Sequence, residues 1–238
     1  MELLHNFSFG PGGWGAALLA ATLTTVAVAV CGFVIGGVIG ALVAWAKLAE
    51  RALLRFAADL YTTVLRSIPD LLVIYLFYFG GSLAVTQAVN FWGRDGFVGV
   101  PPFAAGAMAI GVVSGAYQAE VFRGAFRASS RGEIEAGKAV GMSGLLLFRR
   151  IIAPQVLRHA LPGTGNVWQM VLKESALISV TGLVELLRQA QIAAGSTRKP
   201  FEFFLIAGAI FLAITWISQH VFSCFERRTG RYAAGGLY

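Results

Sequence analysis

Residues 131–144, RGEIEAGKAVGMSG, set Gly132, four further residues, Gly137, Lys138 and Ala139 in an order one hydroxyl short of a nucleotide-binding P-loop. A P-loop needs backbone N–H groups curled around phosphates between a buried strand and a helix, with a Ser or Thr hydroxyl on magnesium. Here Ala139 replaces the hydroxyl, Glu133 and Glu135 would oppose phosphate with like charge, and no apolar strand precedes Gly132. The same residues make sense as two short helices. Ser130 and Glu133 have capping-box spacing, Gly141 suits the left-handed turn that ends a helix, Ser143 can cap a second one, and Pro154 should limit it. Met142, Leu146, Leu147, Ile151 and Ile152 would then offer apolar surface of the kind that receives a partner.

On both sides of this stretch the chain is too apolar for an ordinary soluble domain. Of 238 residues, 57% are hydrophobic and 13% charged, against about 25% charged in typical globular proteins. Charges cluster, leaving uncharged runs at 3–46, 71–93, 96–119 and 203–225, each longer than the roughly 20 residues that span hydrocarbon. A fifth candidate, 161–183, is interrupted by Lys173 and Glu174. Pro11-Gly12-Gly13 breaks the first run, so its helix should start near Trp14 and end near Trp45, tryptophans suited to the two interfaces. The expectation is a single all-α domain over 1–238, a polytopic membrane protein with about five transmembrane helices (14–45, 68–92, 100–122, 160–183 and 202–225) and a short helix pair within 130–154.

The basic residues orient these spans. Lys and Arg number four in 47–66, seven in 123–158 and three after Phe225, against none before the first span, one at 94 and three between 182 and 202. The excess predicts an N-terminus outside, which is the periplasm if the membrane is a bacterial inner one, a cytoplasmic C-terminus and an odd number of crossings, which supports the fifth. The net charge of +7 is then largely topology, and nucleic-acid binding is not needed to explain it. The N-terminus lacks a basic n-region and a clear cleavage site, so the first helix is expected to be retained. Cys31 and Cys224 are isolated and imply neither disulfide nor metal site.

Glu135-Ala136-Gly137, three residues, Gly141, nine residues, Ile151 and then Pro154 resemble the EAA loop of the membrane subunits of bacterial binding-protein-dependent ABC importers. Gly137 departs from the usual second Ala, and Ala153 from the usual Leu. Residues 61–73 (YTTVLRSIPDLLV), 115–126 (GAYQAEVFRGAF) and 158–183 (RHALPGTGNVWQMVLKESALISVTGL) extend the likeness to the polar amino acid branch. Within it they are most similar to the histidine/lysine/arginine/ornithine permeases and their octopine and nopaline relatives. Ile68-Pro69-Asp70-Leu71 is similar to that basic amino acid and opine group. The resemblance implies a non-catalytic, multi-pass inner-membrane permease subunit importing polar, basic amino acids or opines. Its ATPase-coupling residues would be Glu135, Ala136, Gly137, Gly141, Ile151 and Pro154. It implies as partners a pair of ATPase subunits, a second permease chain (a paralogue or a copy of this one) and a periplasmic binding protein. No cofactor is expected on this chain itself, ATP and Mg belonging to the partner ATPase.

Ionisable groups within spans cost about 2.5–3.5 kcal/mol on insertion scales, so Lys173 and Glu174 need an account. As neighbours they point about 100° apart on a helix and cannot pair well with each other. They fit either a substrate pathway or gate, or a structural role at a helix end. Glu120 and Arg123 share a helix face and read first as an ion pair. For a cationic substrate the available acids are Asp70, Glu120 and Glu174, with Asn166, Ser175 and Ser179 as small polar groups. Gly32, Gly36 and Gly40 recur every four residues, which permits close helix contact. Two other classes are weighed. Gly141-Met142-Ser143-Gly144 matches the Gly-x-Ser-Gly of rhomboid proteases, but Ser143 lies in a basic loop, with only His5, His159 and His220 available. An ion-coupled secondary transporter or channel would act without an ATPase, and that class often carries internal repeats; none is evident here.

Overall fold

The structure, a computed structural model, describes residues 8–10, 12–93 and 96–234. His5, Pro11 and Arg94, invoked above, lie outside the described residues. Among the described residues the chain is helical throughout, without a strand. The elements are α1 (Gly15–Leu48), α2 (Ala52–Ser67), α3 (Asp70–Tyr75), α4 (Gly81–Phe91), α5 (Pro102–Ala128), α6 (Arg131–Ala139), α7 (Gly144–Leu147), α8 (Ala153–Glu174), α9 (Leu186–Thr197) and α10 (Pro200–Ala234). Short π-helical turns at Leu76–Gly80 and Phe148–Ile152 splice α3 to α4 and α7 to α8, and a 3₁₀ segment, Ser175–Thr181, follows α8.

The central contact is α1 against α5. It is close because both helices present small residues. A Cβ on Gly32 would lie 2.7 Å from Ile110, on Gly36 2.1 Å from Ser114 Oγ, and on Gly40 2.8 Å from Gln118. Polar groups fasten the seam: Gln118 Nε2 donates to the Phe33 carbonyl at 3.0 Å and Ser114 Oγ to that of Gly32 at 3.4 Å. The opposite side of α1 exposes Val30, Val34, Val38 and Leu42, an apolar stripe that only lipid or another apolar helix suits. α8 packs on α5 from another side, and Val167, Trp168, Val171 and Leu172 complete the main core. Phe33 meets Trp168 edge-to-face at 5.5 Å.

Among the described residues, three helical stretches are long and apolar enough to cross a membrane: Gly15–Leu48, Asp70–Phe91 and Pro200–Thr229. α5 and α8, of 27 and 22 residues, are long enough but more polar. α5 is largely buried within the bundle, and α8 is buried along one face, so neighbouring helices set much of their composition.

Three expectations change. The 47–66 connection is largely a helix, α2: it packs on α1 and α5 through a slim face, Ala58 and Thr62, with the Tyr61 hydroxyl donating to the Val112 carbonyl, while Leu53, Phe56 and Leu60 stay exposed. Pro154 does not end a helix. The π turn before it loosens the i→i−4 ladder, and Pro154 occupies the first turn of α8, where its missing N–H costs little. The 160–183 span is not one continuous α-helix, because it tightens to 3₁₀ at Ser175 and stops at Gly182, with φ +88°.

At the far end, 184–199 is ordered by Glu185. Its carboxylate accepts the Arg188 and Leu187 N–H groups at 2.7 and 2.9 Å, capping α9, and takes a 3.4 Å hydrogen bond from Thr25 on α1. With all of that satisfied, Glu185 is fully buried at low cost.

Candidate functional site

α6 and α7 form a hairpin at the same end of the molecule as the last turns of α1 and α5. Gly141 has φ +79°, and Met142 N–H bonds the Gly137 carbonyl at 3.1 Å, closing α6 with the left-handed glycine turn expected there. The capping box does not form. Gln155 Oε1 accepts the Ser130 N–H at 3.0 Å, and Gln155 Nε2 donates to Glu133. A side chain from α8 thus accepts the N–H that the Glu133 carboxylate was expected to accept, and ties the hairpin to that helix. Ser143 likewise makes no side-chain cap, nor any hydrogen bond with His159 among the described residues, so no serine–histidine pair exists there.

Not all of the expected apolar surface faces outward. Leu147 is buried, and its Cδ1, together with that of Ile151, would lie 2.6 and 2.8 Å from a Cβ on Gly137. Gly137 is therefore where the hairpin closes on itself, against the ends of two flexible side chains. The outward surface is instead Val140, Leu145 and Leu146, with Glu135 and Ala136 exposed beside them. We predict that Gln155→Ala loosens the hairpin by about 1 kcal/mol, the net worth of a hydrogen bond. Faster amide exchange confined to residues 131–140 would register it, and unchanged exchange would contradict it.

The charged candidates separate into two groups. Glu120 pairs with Arg123, Nε to Oε2 at 2.9 Å, as the three-residue spacing anticipates. Unforeseen is Lys47: its ammonium, nearly buried, bridges Glu120 and Asp59, the latter at 2.9 Å. One lysine thereby joins the ends of α1 and α5 to α2. No local spacing could reveal a partner 73 residues away. The second group gathers at the α8 break. Glu174 is buried while Lys173 is exposed, as their 100° divergence requires, and the Glu174 carboxylate faces Asp70 in the first turn of α3. Glu174 Oε2 has no hydrogen-bond partner. Two carboxyl groups thus meet where α3 begins and α8 gives way to its 3₁₀ segment. Ser175 is buried beside them, its hydroxyl used by the Leu172 carbonyl at 2.7 Å. Asn166 is elsewhere: it lines a small recess of about 170 Å³ between α8 and α10 with Gln169, Gln219 and Ser223.

An exposed hairpin between central helices and interrupted helices carrying paired acids are features of a transport subunit, and comparison with known proteins gives the family. Residues 32–231 match the model described as binding-protein-dependent transport system inner membrane component. The chain belongs to that family. This permease is 58% identical to an octopine transport system permease protein of Agrobacterium tumefaciens, with all of both chains covered. It is 45% identical to a nopaline transport system permease protein of Agrobacterium fabrum, over 96% of this chain and 97% of that one. Among solved structures, an amino acid ABC transporter crystallised with histidines matches at TM-score 0.75 and 30% identity, covering 90% of this permease and 95% of that chain. The permease is accordingly a multi-pass inner-membrane protein of the polar amino acid branch and a non-catalytic component of its system.

Proposed function

We propose that this permease subunit carries polar, basic amino acids or opines inward across the bacterial inner membrane, driven by ATP that a separate ATPase pair hydrolyses. The observation that carries the reading is the α6–α7 hairpin, which leaves Glu135, Ala136, Val140 and Leu145 outward while Gly137 packs against Leu147 and Ile151, on the segment that runs into α8. In this reading Glu135, Ala136, Gly137 and Gly141 form the docking element, and Ile151 and Pro154 anchor it to α8. ATP and Mg stay on the ATPase. A second permease chain, either a paralogue or another copy, covers the exposed apolar faces, and a periplasmic binding protein delivers substrate. The excess of Lys and Arg supports five crossings, α5 and the α8–3₁₀ segment being two of them, with the N-terminus periplasmic and the C-terminus cytoplasmic. Alternating access follows if hairpin and helices move together, since only different affinities of the two states for the partner can drive the exchange.

The relatives' octopine and nopaline names and the Asp70–Glu174 pair support a cationic substrate. Lys173, Ser175 and Asn166 would line the same route at other depths, and Glu120 would hold the inner end closed through Lys47. Gly141→Asp tests the coupling. Gly141 has open space around its Cα, and the left-handed conformation costs an L-residue only about 1–2 kcal/mol. The variant should insert and accumulate normally while uptake falls to background, because a carboxylate now projects from the docking tip. Normal uptake by a well-expressed variant would refute the coupling role. Purification of the chain from native membranes should bring an ATPase with it; a folded chain that neither brings nor binds one would favour a secondary transporter or channel.

A further inference from the structure

Between α2, the end of α1 and the end of α5 lies a cavity of about 710 Å³, and its charge is unbalanced. Five basic side chains line it against two carboxylates, Asp59 and Glu120. Both acids are already engaged by Lys47 and Arg123. That leaves Arg55, Arg66 and Arg127 facing the same space without a carboxylate partner among the described residues. Arg66 rests only on the Tyr117 ring, 5.2 Å from its centroid.

The arrangement has two levels. Arg66 lies beside Tyr117, and Lys47 sets Asp59 beside Glu120, so α2 runs antiparallel to α5 and Arg55 falls near the level of Arg123 and Arg127. Arg55 and Arg66 are eleven residues apart on one face of α2, about 16 Å of rise. The level of Arg66 also offers the Thr63 and Ser67 side chains, which line the cavity. Guanidinium groups gathered without counter-charge repel one another, and their planar forks match oxyanions.

We infer that this cavity is an oxyanion-binding site, taking carboxylate or phosphate groups through Arg55 and Arg127 at one end and Arg66 at the other. The occupant is either a soluble carboxylate or the headgroup of an anionic phospholipid, which basic pockets between membrane helices bind at the cytoplasmic side. The site is distinct from the Asp70–Glu174 pair, which has the opposite sign.

The experiment uses the chain in its native assembly, in nanodiscs of phosphatidylcholine with or without phosphatidylglycerol. Two probes are measured: radiolabelled succinate by equilibrium dialysis, and phosphatidylglycerol retained on the protein by native mass spectrometry. The expected result is saturable binding of one probe, weakened at least about tenfold in Arg55→Gln/Arg127→Gln, as losing one charge-assisted hydrogen bond implies. Arg127→Lys, which keeps the charge, should lose less. Binding of succinate assigns the soluble source, and retention of phosphatidylglycerol the lipid source. Both arginines are exposed, so the variant should fold. If neither probe binds, or the double variant binds as well as the parent, the site does not exist. If instead the double variant loses a partner subunit while the parent binds no probe, the arginines answer acids of that partner, and the inference is equally overturned.

Discussion

Gly36→Leu is expected to leave almost no folded protein in the membrane. Gly36 stands at the middle of the α1–α5 seam, where an added Cβ would lie 2.1 Å from Ser114 Oγ, 2.9 Å from Gln118 Nε2 and 3.0 Å from the Gly115 backbone nitrogen. The side chains could turn aside, but the Gly115 backbone cannot without parting the helices. Parting them breaks the Gln118–Phe33 hydrogen bond and opens the core around Val28, Ile110 and Val113. Overpacking a well-filled core costs about 1–3 kcal/mol and occasionally more, and loss of the seam would add to it. Total stabilities of about 5–15 kcal/mol leave little margin. Gly208→Leu is the control, because Gly208 on α10 has nothing within 4 Å of the position of a Cβ. Membrane-fraction yield and unfolding temperature should collapse for the first and hold for the second. Equal yields would mean that α1 and α5 do not approach this closely.

Glu174→Gln should do the reverse: spare the fold and abolish most transport of a cationic substrate. Glutamine preserves shape in a site that is almost fully buried and removes a charge that membrane burial disfavours, so accumulation should be normal or improved. What disappears is the carboxylate beside Asp70 that could accept a guanidinium or ammonium group. A hydrogen bond to a charged partner is worth about 1.5–3 kcal/mol, which predicts uptake reduced at least about tenfold at subsaturating substrate. Asp70→Asn should do likewise, and the double variant should lose less than the sum, since the two acids serve one ligand. Lys173→Gln, at an exposed neighbour, should be mild. If Glu174→Gln merely prevents the chain from accumulating, the carboxylate is structural and the substrate role is wrong.

How far each feature could be read in advance follows from how local its cause is. Gly141 could be assigned to its turn because a left-handed backbone position selects glycine whatever surrounds it. The Glu120–Arg123 pair was visible because three residues on a helix are neighbours in space. The divergence of Lys173 from Glu174 followed from the same geometry. The capping box was misread because Ser130 and Glu133 have the right spacing, yet Gln155, 22 residues beyond Glu133, competes for both partners. Leu147 and Ile151 look like docking surface in the sequence because nothing in it says that Gly137 lies beneath them.

The sequence by itself determined that this chain is an all-helical membrane protein with a glycine-turned hairpin between its central helices, because long uncharged runs and single special residues act through solvent and backbone, which are the same everywhere. Tertiary structure alone decided which charges meet. Lys47 with Asp59 and Glu120, Glu174 with Asp70, and three arginines around one cavity lie on different helices. Their pairing depends on how those helices are rotated and brought together, and that is set by the small-residue seam of α1 and α5, not by any spacing along the chain.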